Sequence, residues 1–193
     1  RCTPSRTSFV TGISPAKLHM TYQNEGGNNR REEGNGDSYR LLKMVPPPVE
    51  TTLPKGVKTT GNWLGELGYA SAHFGKWHLG MSFPLKNGGI ADDGGNFGKA
   101  FQDAASVDYD RDIVDGPLEH GFDTYFGISA SLDMPPFVWI KDRRVTETPS
   151  ATKTWLRSGP AGPKFEAVDV LPSVIDQTIA FIESQRKADP AKP

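Results

Sequence analysis

The sequence contains a single cysteine among its 193 residues, so no disulfide can form within the chain and cysteine usage says nothing about the compartment. Neither sign of charge dominates: 22 basic and 23 acidic side chains leave a net charge of −1, which gives no indication of binding to nucleic acid or to a membrane surface. No apolar stretch approaches the length that spans a bilayer. What remains is a chain long enough for one sizeable hydrophobic core, and its 21 glycines and 16 prolines predict many loops.

Helix and strand patterns follow one another in the first half of the chain, which predicts an α/β fold. Residues 58–67 show the spacing of a helix, with Thr59 or Thr60 as its cap and Gly68 at its end. Three large apolar residues form its expected buried stripe: Trp63, Leu64 and Leu67. Residues 69–74 then have the composition of a strand. A helix that passes through glycine into a strand is one step of an α/β sandwich.

The rest of the chain alternates between loop-rich and regular stretches. Residues 23–58 and 84–118 are expected to be loop-rich insertions, and residues 147–166 are expected to be loop as well. Residues 137–145 predict a hairpin with a charged tip. From Val168 onward an amphipathic helix is predicted. Its apolar stripe consists of Leu171, Val174, Ile175, Thr178, Ile179 and Ile182.

The only cysteine lies in the stretch Cys-Thr-Pro-Ser-Arg, which predicts a helix start. Pro4 suits the first turn of a helix, so Cys2 would lie at the positive end of the helix dipole, where free N–H groups favour an anion. Arg6 follows one turn later and adds a fixed positive charge. Phe9 is expected to point inward, and Gly12 to end the helix. A cysteine in such surroundings is reactive, whereas an isolated cysteine is more often a small buried apolar residue.

A second informative stretch is Gly-Lys-Trp-His-Leu-Gly at positions 75–80. Side chains alternate along an extended segment, so Lys76 and His78 are expected to share one face while Trp77 takes the other. A lysine supplies a localised positive charge, and a histidine exchanges protons near neutral pH. Their position at the end of a strand is typical of ligand sites in open α/β sheets. The alternative is a surface lysine beside a structural histidine.

The two stretches together resemble the two signatures of the type I sulfatases, which depend on formylglycine. The first signature is Cys-x-Pro-Ser-Arg followed by Leu-x-Thr-Gly, with Phe9 here in the place of leucine. The second is Gly-Tyr at positions 68–69 followed by Gly-Lys-Trp-His-Leu-Gly at positions 75–80, and Lys76 lies 74 residues after Cys2. The resemblance implies that residues 1–193 are a single, partial sulfatase catalytic domain. Its fold would be part of an alkaline-phosphatase-like α/β sandwich, a mixed sheet flanked by helices and truncated at both ends. We expect the chain to be an internal part of a longer protein.

The resemblance also assigns roles within the site. Cys2 would be oxidised by a formylglycine-generating or equivalent maturation enzyme, and the hydrated aldehyde would attack sulfur. Arg6 would orient that group, and His78 would act as general base. Lys76 would neutralise sulfate oxygens, and Ser131 would contact the sulfate or an active-site water. A divalent cation, calcium in most of the family, would bind the modified Cys2 and a sulfate oxygen.

The implied substrate is an aryl or carbohydrate sulfate ester, and export to the periplasm, the exterior or the lysosome is implied by the family alone. The carboxylates that bind the metal and the acid that protonates the leaving group are expected outside this chain, so that the chain alone would be inactive. Two alternatives stay open. One is a phosphonate or phosphate ester hydrolase of the same superfamily, and the other is a non-catalytic relative in which Cys2 remains a thiol.

Several further polar groups have simpler explanations than a metal site. Asp92 and Asp93 are surrounded by glycines and are expected to form a turn. Three alternating aspartates resemble a calcium loop but lack its glycine and its late glutamate: Asp108, Asp110 and Asp112. His19 could be a ligand but is interpreted as a packing or hydrogen-bonding residue. Asp133 could support a residue of the site but is interpreted as a turn-capping residue.

Overall fold

The computed structural model describes residues 2–20, 52–92 and 106–188. Its α-helices are α1 (Cys2–Thr11), α2 (Thr60–Glu66) and α3 (Val170–Ala188), and a 3-10 turn at Ala167–Asp169 leads into α3. Its strands are β1 (Ala72–Lys76), β2 (Ser82–Pro84), β3 (Ile90–Asp92), β4 (Thr124–Ile128), β5 (Ile140–Lys141), β6 (Arg144–Val145), β7 (Ala151–Trp155) and β8 (Arg157–Ala161).

The main sheet has four strands in the order β1-β4-β5-β6. Strands β1 and β4 are parallel, in a register that runs from Ala72 opposite Thr124 to Lys76 opposite Ile128. Strands β5 and β6 add an antiparallel hairpin at the edge, so the sheet is mixed. Helix α3 packs on β1 and β4, where the Phe74 and Phe181 rings lie 5.7 Å apart. The predicted α/β class and the predicted hairpin are both confirmed.

The core lies where β1 leaves the sheet. Trp77 and Leu79 follow β1 directly and are fully buried, in one cluster with Tyr125 of β4 and Val10 of α1. Trp77 Nε1 also donates a hydrogen bond of 2.7 Å to the Gly80 carbonyl. Burying an indole of this size contributes a large share of core stability, so the segment after β1 is firmly held.

Helix α1 buries threonines and leaves its phenylalanine outside. Its buried residues are Thr3, Thr7, Val10 and Thr11, and Phe9 is 84% exposed. The threonine hydroxyls donate to carbonyls one turn back, from Thr7 to Thr3 at 2.8 Å and from Thr11 to Thr7 at 2.7 Å. The prediction that Phe9 points inward is therefore wrong, because the helix satisfies its polar buried face internally and turns that face to the core.

Helix α2 is capped as predicted but does not bury its large residues. Thr59 forms a capping box with Asn62, whose side-chain oxygen accepts a hydrogen bond of 2.9 Å from the Thr59 amide. The three stripe residues are exposed: Trp63, Leu64 and Leu67. Instead, α2 packs through Gly61 against the backbone at Gly121. The contact is so close that a Cβ added at Gly61 would lie 2.7 Å from the Gly121 carbonyl oxygen. The predicted stripe is wrong because a backbone contact decides how this helix packs.

Residues 147–166 were expected to be loop, but they contain the β7–β8 hairpin, in which Trp155 pairs with Arg157 across the turn. Trp155 packs edge-on against Phe137, with ring centroids 4.8 Å apart, in a second apolar cluster with Phe165. The expectation of loop is wrong. The strands carry few apolar residues, and a few aromatic contacts rather than a long apolar pattern hold the hairpin in place.

Helix α3 is confirmed, but it presents only part of its apolar stripe to the sheet. The sheet-facing side includes Val174, near Gly75, and Phe181. Four other stripe residues are exposed in the described part of the chain: Leu171, Ile175, Ile179 and Ile182. The helix is thus apolar on two sides, of which the sheet covers one.

Some expectations lie outside the described residues. Most of the loop-rich stretch 23–58 does so, as does the middle of 84–118. Asp92 ends strand β3 rather than forming a turn, and Asp93 lies outside the described residues. The division of the chain into one partial domain with two insertions stays a prediction.

We predict that Gly127→Ala destabilises the fold. Gly127 faces Gly75 across the parallel pair, and a Cβ there would lie 1.8 Å from the Gly75 carbonyl oxygen. Relieving that overlap requires the strands to separate, which should cost about 1–3 kcal/mol or more. Urea denaturation of the full-length protein measures the loss.

The matched control is Gly65→Ala in α2, where an added Cβ meets nothing within 4 Å. That change should stabilise the helix by about 0.5–1 kcal/mol, since alanine is the better helix former. If the Gly127→Ala variant were as stable as the parent protein, β1 and β4 could not approach each other as closely as described at Gly75 and Gly127.

Candidate active site

Helix α1 presents Cys2 and Arg6 from its first two turns. Cys2 is the first residue of the helix and is partly buried. Its position, one turn before the half-buried Arg6, combines the positive end of the helix dipole with a fixed cation.

Arg6 joins α1 to the end of β1. Its Nε donates a hydrogen bond of 2.7 Å to the Trp77 carbonyl, and its Nη2 donates to the Lys76 carbonyl. Burial lowers the pKa of Arg6 from its ordinary value. Two carbonyls bound by one rigid guanidinium fix both distance and angle between the helix and the strand end.

The segment after Lys76 leaves the strand geometry. Trp77 and His78 donate their amides to the carbonyls of Ile128 and Ser129, at 3.0 and 2.8 Å. Strand β1 ends at Lys76, and His78 has a φ of 55°, in the left-handed region. The expectation that Lys76 and His78 share one strand face is therefore wrong. His78 lies beyond the end of β1, where side chains no longer alternate between the two faces of the sheet.

Lys76 and Ser131 meet directly. The Lys76 Nζ donates a hydrogen bond of 2.6 Å to Ser131 Oγ, which lies in the loop that follows β4. Because β1 and β4 are parallel neighbours, the residues just beyond both strands converge at one edge of the sheet. The structure thus brings together Lys76 and Ser131, which the sequence analysis identified as candidate site residues in two different stretches of the chain.

His78 is a buried imidazole between cations. It is 4% exposed, and neither ring nitrogen has a hydrogen-bond partner among the residues that the structure describes. Burial lowers the pKa of His78 to about 3, with the positive charges of Lys76 and Arg6 adding to the effect. The ring is therefore neutral near pH 7, with one nitrogen available to accept a proton and the other to donate one. An anion bound beside Lys76 would raise this pKa.

His73 belongs to the same cluster, although the sequence analysis treated it only as part of a strand. Its Nε2 lies 3.3 Å from Arg6 Nη2 and 3.2 Å from the Lys76 carbonyl oxygen. The imidazole packs against the rings of Trp77, Phe122 and Tyr125, at centroid distances of 5.2 to 5.8 Å. The one signal in the sequence was a polar residue in an otherwise apolar strand, three positions before Lys76.

The aspartates outside this cluster have other partners. Asp112 pairs with Arg144 at 2.5 Å, and Asp110 accepts a hydrogen bond from Thr148 at 3.1 Å. Asp133 pairs with Arg157 at 2.7 Å, and its turn-capping role stays a prediction. The part of the chain that the structure describes holds no group of three or more His, Cys, Asp or Glu side chains arranged for a metal ion. These residues therefore do not fit a complete metal site, and we derive no step through a metal.

None of the described helices is long and apolar enough to cross a membrane.

Comparisons with known proteins find similarity to sulfatases along most of the chain. Human arylsulfatase H is 30% identical over 156 residues, 81% of this chain and 20% of that protein. Human steryl-sulfatase is 29% identical over 128 residues, 66% of this chain and 15% of that protein. N-acetylgalactosamine-6-O-sulfatase of Bacteroides thetaiotaomicron is 27% identical over 143 residues, 74% of this chain and 20% of that protein. The chain thus spans about a fifth or less of the length of these curated relatives.

The fold has a solved counterpart. A sulfatase structure from a study of glycosaminoglycan metabolism by Bacteroides thetaiotaomicron matches with a TM-score of 0.59 and 19% identity, over 94% of this chain and 38% of that chain. This likeness confirms the predicted alkaline-phosphatase-like fold. A scan against family models finds no match.

We predict that Arg6→Lys weakens the junction between α1 and β1. A lysine keeps the charge but cannot bind both the Lys76 and Trp77 carbonyls in the same plane. Loss of a hydrogen bond to a charged group should cost about 1.5–3 kcal/mol in unfolding free energy. Arg144→Lys is the control, since its exposed pair with Asp112 should contribute at most about 1 kcal/mol. Equal effects of the two changes would contradict the structural role of Arg6.

We also predict that acid destabilises the protein through His78. The unfolded chain protonates this residue near its ordinary pKa of 6.5, whereas the folded chain does so only near pH 3. More protons are then bound in the unfolded state between these values, so stability falls as pH falls through that window, by up to about 1.4 kcal/mol per pH unit for one histidine.

The measurement is the free energy of unfolding between pH 7 and pH 4 for the parent protein and for His78→Leu. The variant should show a shallower slope, because its buried side chain cannot bind a proton. Phe9→Leu, at an exposed position without a titratable group, is the control and should leave the slope unchanged. Parallel slopes for the parent protein and His78→Leu would exclude a neutral, buried His78.

Proposed function

We propose that this chain, which belongs to the sulfatase family, forms the nucleophile side of a sulfuric ester hydrolase active site. The observation that carries the proposal is the junction at the end of β1. There Arg6 binds the Lys76 and Trp77 carbonyls, and the helix that begins at Cys2 is thereby held at the end of β1, where Lys76 and His78 lie. A cationic, partly buried cluster beside a helix N-terminus suits a sulfate group.

Lys76 would bind the sulfate oxygens. Its Nζ is held 2.6 Å from Ser131 Oγ, so the ammonium is positioned before a ligand arrives. A sulfate oxygen could displace the serine or join it, since an ammonium has three donors. Negative charge that builds on the oxygens as the ester bond breaks would be stabilised by this fixed cation.

His78 would accept and release a proton beside the nucleophile. Its ring is neutral, and its two nitrogens have no hydrogen-bond partner among the residues that the structure describes, which suits a general base. Its pKa rises once an anion binds next to Lys76. Formylglycine at position 2, formed from Cys2 by a maturation enzyme, would supply a hydrated aldehyde oxygen as the nucleophile. The divalent cation, calcium in most of the family, would require ligands beyond the described residues.

The substrate class follows from the relatives. Their names refer to aryl, steryl and N-acetylgalactosamine-6-O-sulfates, so we propose an aryl or carbohydrate sulfate ester. An exported location, in the periplasm, outside the cell or in the lysosome, would accompany this function.

The test is hydrolysis of an aryl sulfate by the full-length protein, produced together with a formylglycine-generating enzyme. Lys76→Met should lower kcat/KM by about 10²–10³-fold, because a preorganised donor to the sulfate is lost. Lys141→Met, at an exposed position in the hairpin of the same sheet, is the matched control and should hydrolyse the ester as the parent protein does.

Two further readouts separate the alternatives. Faster turnover of the matching aryl phosphate than of the sulfate would indicate a phosphate ester hydrolase. Mass spectrometry of the tryptic peptide that contains Cys2 should show the aldehyde or its hydrate. An unmodified thiol in active preparations would overturn the formylglycine mechanism.

A further inference from the structure

We infer that His73 is a positioning residue, whose imidazole holds the Arg6 guanidinium on the carbonyls at the end of β1 and thereby sets Cys2 relative to Lys76. It acts through Arg6 and has no assigned contact with the substrate. Its effect on turnover rests on the proposed sulfatase function, whereas its effect on Arg6 does not.

The contact geometry carries the inference. His73 Nε2 lies 3.3 Å from Arg6 Nη2 and 3.2 Å from the Lys76 carbonyl oxygen, which itself accepts a hydrogen bond from Arg6 Nη2. A guanidinium only donates hydrogen bonds, so its contact with Nε2 is favourable when that nitrogen carries a lone pair. The proton of the neutral ring then resides on Nδ1. The imidazole and the carbonyl together give Nη2 two acceptors on one side.

The surroundings of His73 keep its ring in place and neutral. Three aromatic rings enclose it: Trp77, Phe122 and Tyr125. Burial lowers the pKa of His73 to about 4, and the charge of Arg6 adds to this shift. A bond to the Lys76 carbonyl, which would oppose the shift, forms only when Nε2 is protonated, so the neutral ring with its proton on Nδ1 does not make it. A protonated ring would face the guanidinium with like charge, so neutrality is a condition of the contact.

The position of Arg6 matters because it is a direct polar link between the helix that carries Cys2 and the segment that carries Lys76 and His78. If the guanidinium shifts, the nucleophile moves relative to the groups that bind sulfate and accept its proton. A misplacement of about 1 Å between reacting groups can cost 10²-fold in rate.

The test compares His73→Leu with His73→Gln in the full-length protein. Leucine fills the space without an acceptor, whereas the glutamine amide oxygen can accept from Arg6. His73→Leu should lower kcat by about 10–100-fold with little change in KM, and His73→Gln should recover most of the loss. A loss confined to stability, with kcat unchanged, would overturn the inference.

A second readout does not depend on activity. In protein labelled with ¹⁵N at arginine Nε, the Arg6 signal is assigned by its disappearance in Arg6→Lys. Its Nε–H, bound to the Trp77 carbonyl, should exchange with solvent about 10–100-fold faster in His73→Leu than in the parent protein, and His73→Gln should restore slow exchange. Unchanged exchange in His73→Leu would overturn the inference whether or not the protein hydrolyses sulfate esters.

Phe122→Leu is the packing control, since it removes one ring against His73 without removing the nitrogen. It should lower the melting temperature while leaving Arg6 exchange and kcat close to those of the parent protein. If Phe122→Leu changes the Arg6 exchange rate and kcat as strongly as His73→Leu does, then ring packing, and not the acceptor nitrogen of His73, explains those changes, and the inference is overturned. An inactive parent protein with the predicted exchange pattern would refute the proposed function alone.

Discussion

The site depends on one guanidinium that binds two consecutive carbonyls. Arg6 projects from the second turn of α1 and takes the carbonyls of Lys76 and Trp77, the residues at which β1 ends. Neither element alone would form the site, since one carries the cysteine and the other the lysine and the histidine. The rigid fork of arginine fixes their relative orientation in a way that a flexible ammonium could not.

The residues around the Arg6 junction include groups in energetically unfavourable states. Trp77 is fully buried and anchors the segment after β1 to the core, which allows His78 to adopt a left-handed backbone. His78 remains buried with unpartnered nitrogens among the described residues, beside two cations. A stable core on one side thus supports a polar cluster that is unfavourable without an anion. This is the expected condition of a site that gains its remaining interactions from a ligand.

Cys2, Arg6, Lys76 and His78 were grouped because the two stretches that contain them resemble the two sulfatase signatures. Their roles stay predictions, and the structure adds that Arg6 joins α1 to the end of β1. Sequence reasoning also predicted the mixed α/β sheet. It was wrong about Phe9 and the large residues of α2, because close backbone contacts and internally bonded threonines, rather than apolar periodicity, decide which faces are buried. The β7–β8 hairpin, held by a few aromatic contacts, and His73, whose role arises from a contact 67 residues away with Arg6, carried no periodic signal.

A crystal structure of the full-length protein with a bound, unreactive sulfate ester analogue tests the account most directly. We predict sulfate oxygens on Lys76 Nζ, a new hydrogen-bond partner for His78, and Arg6 still on the Lys76 and Trp77 carbonyls. A sulfate bound away from Lys76 and His78, or an Arg6 that has left the carbonyls to bind the ligand, would contradict it.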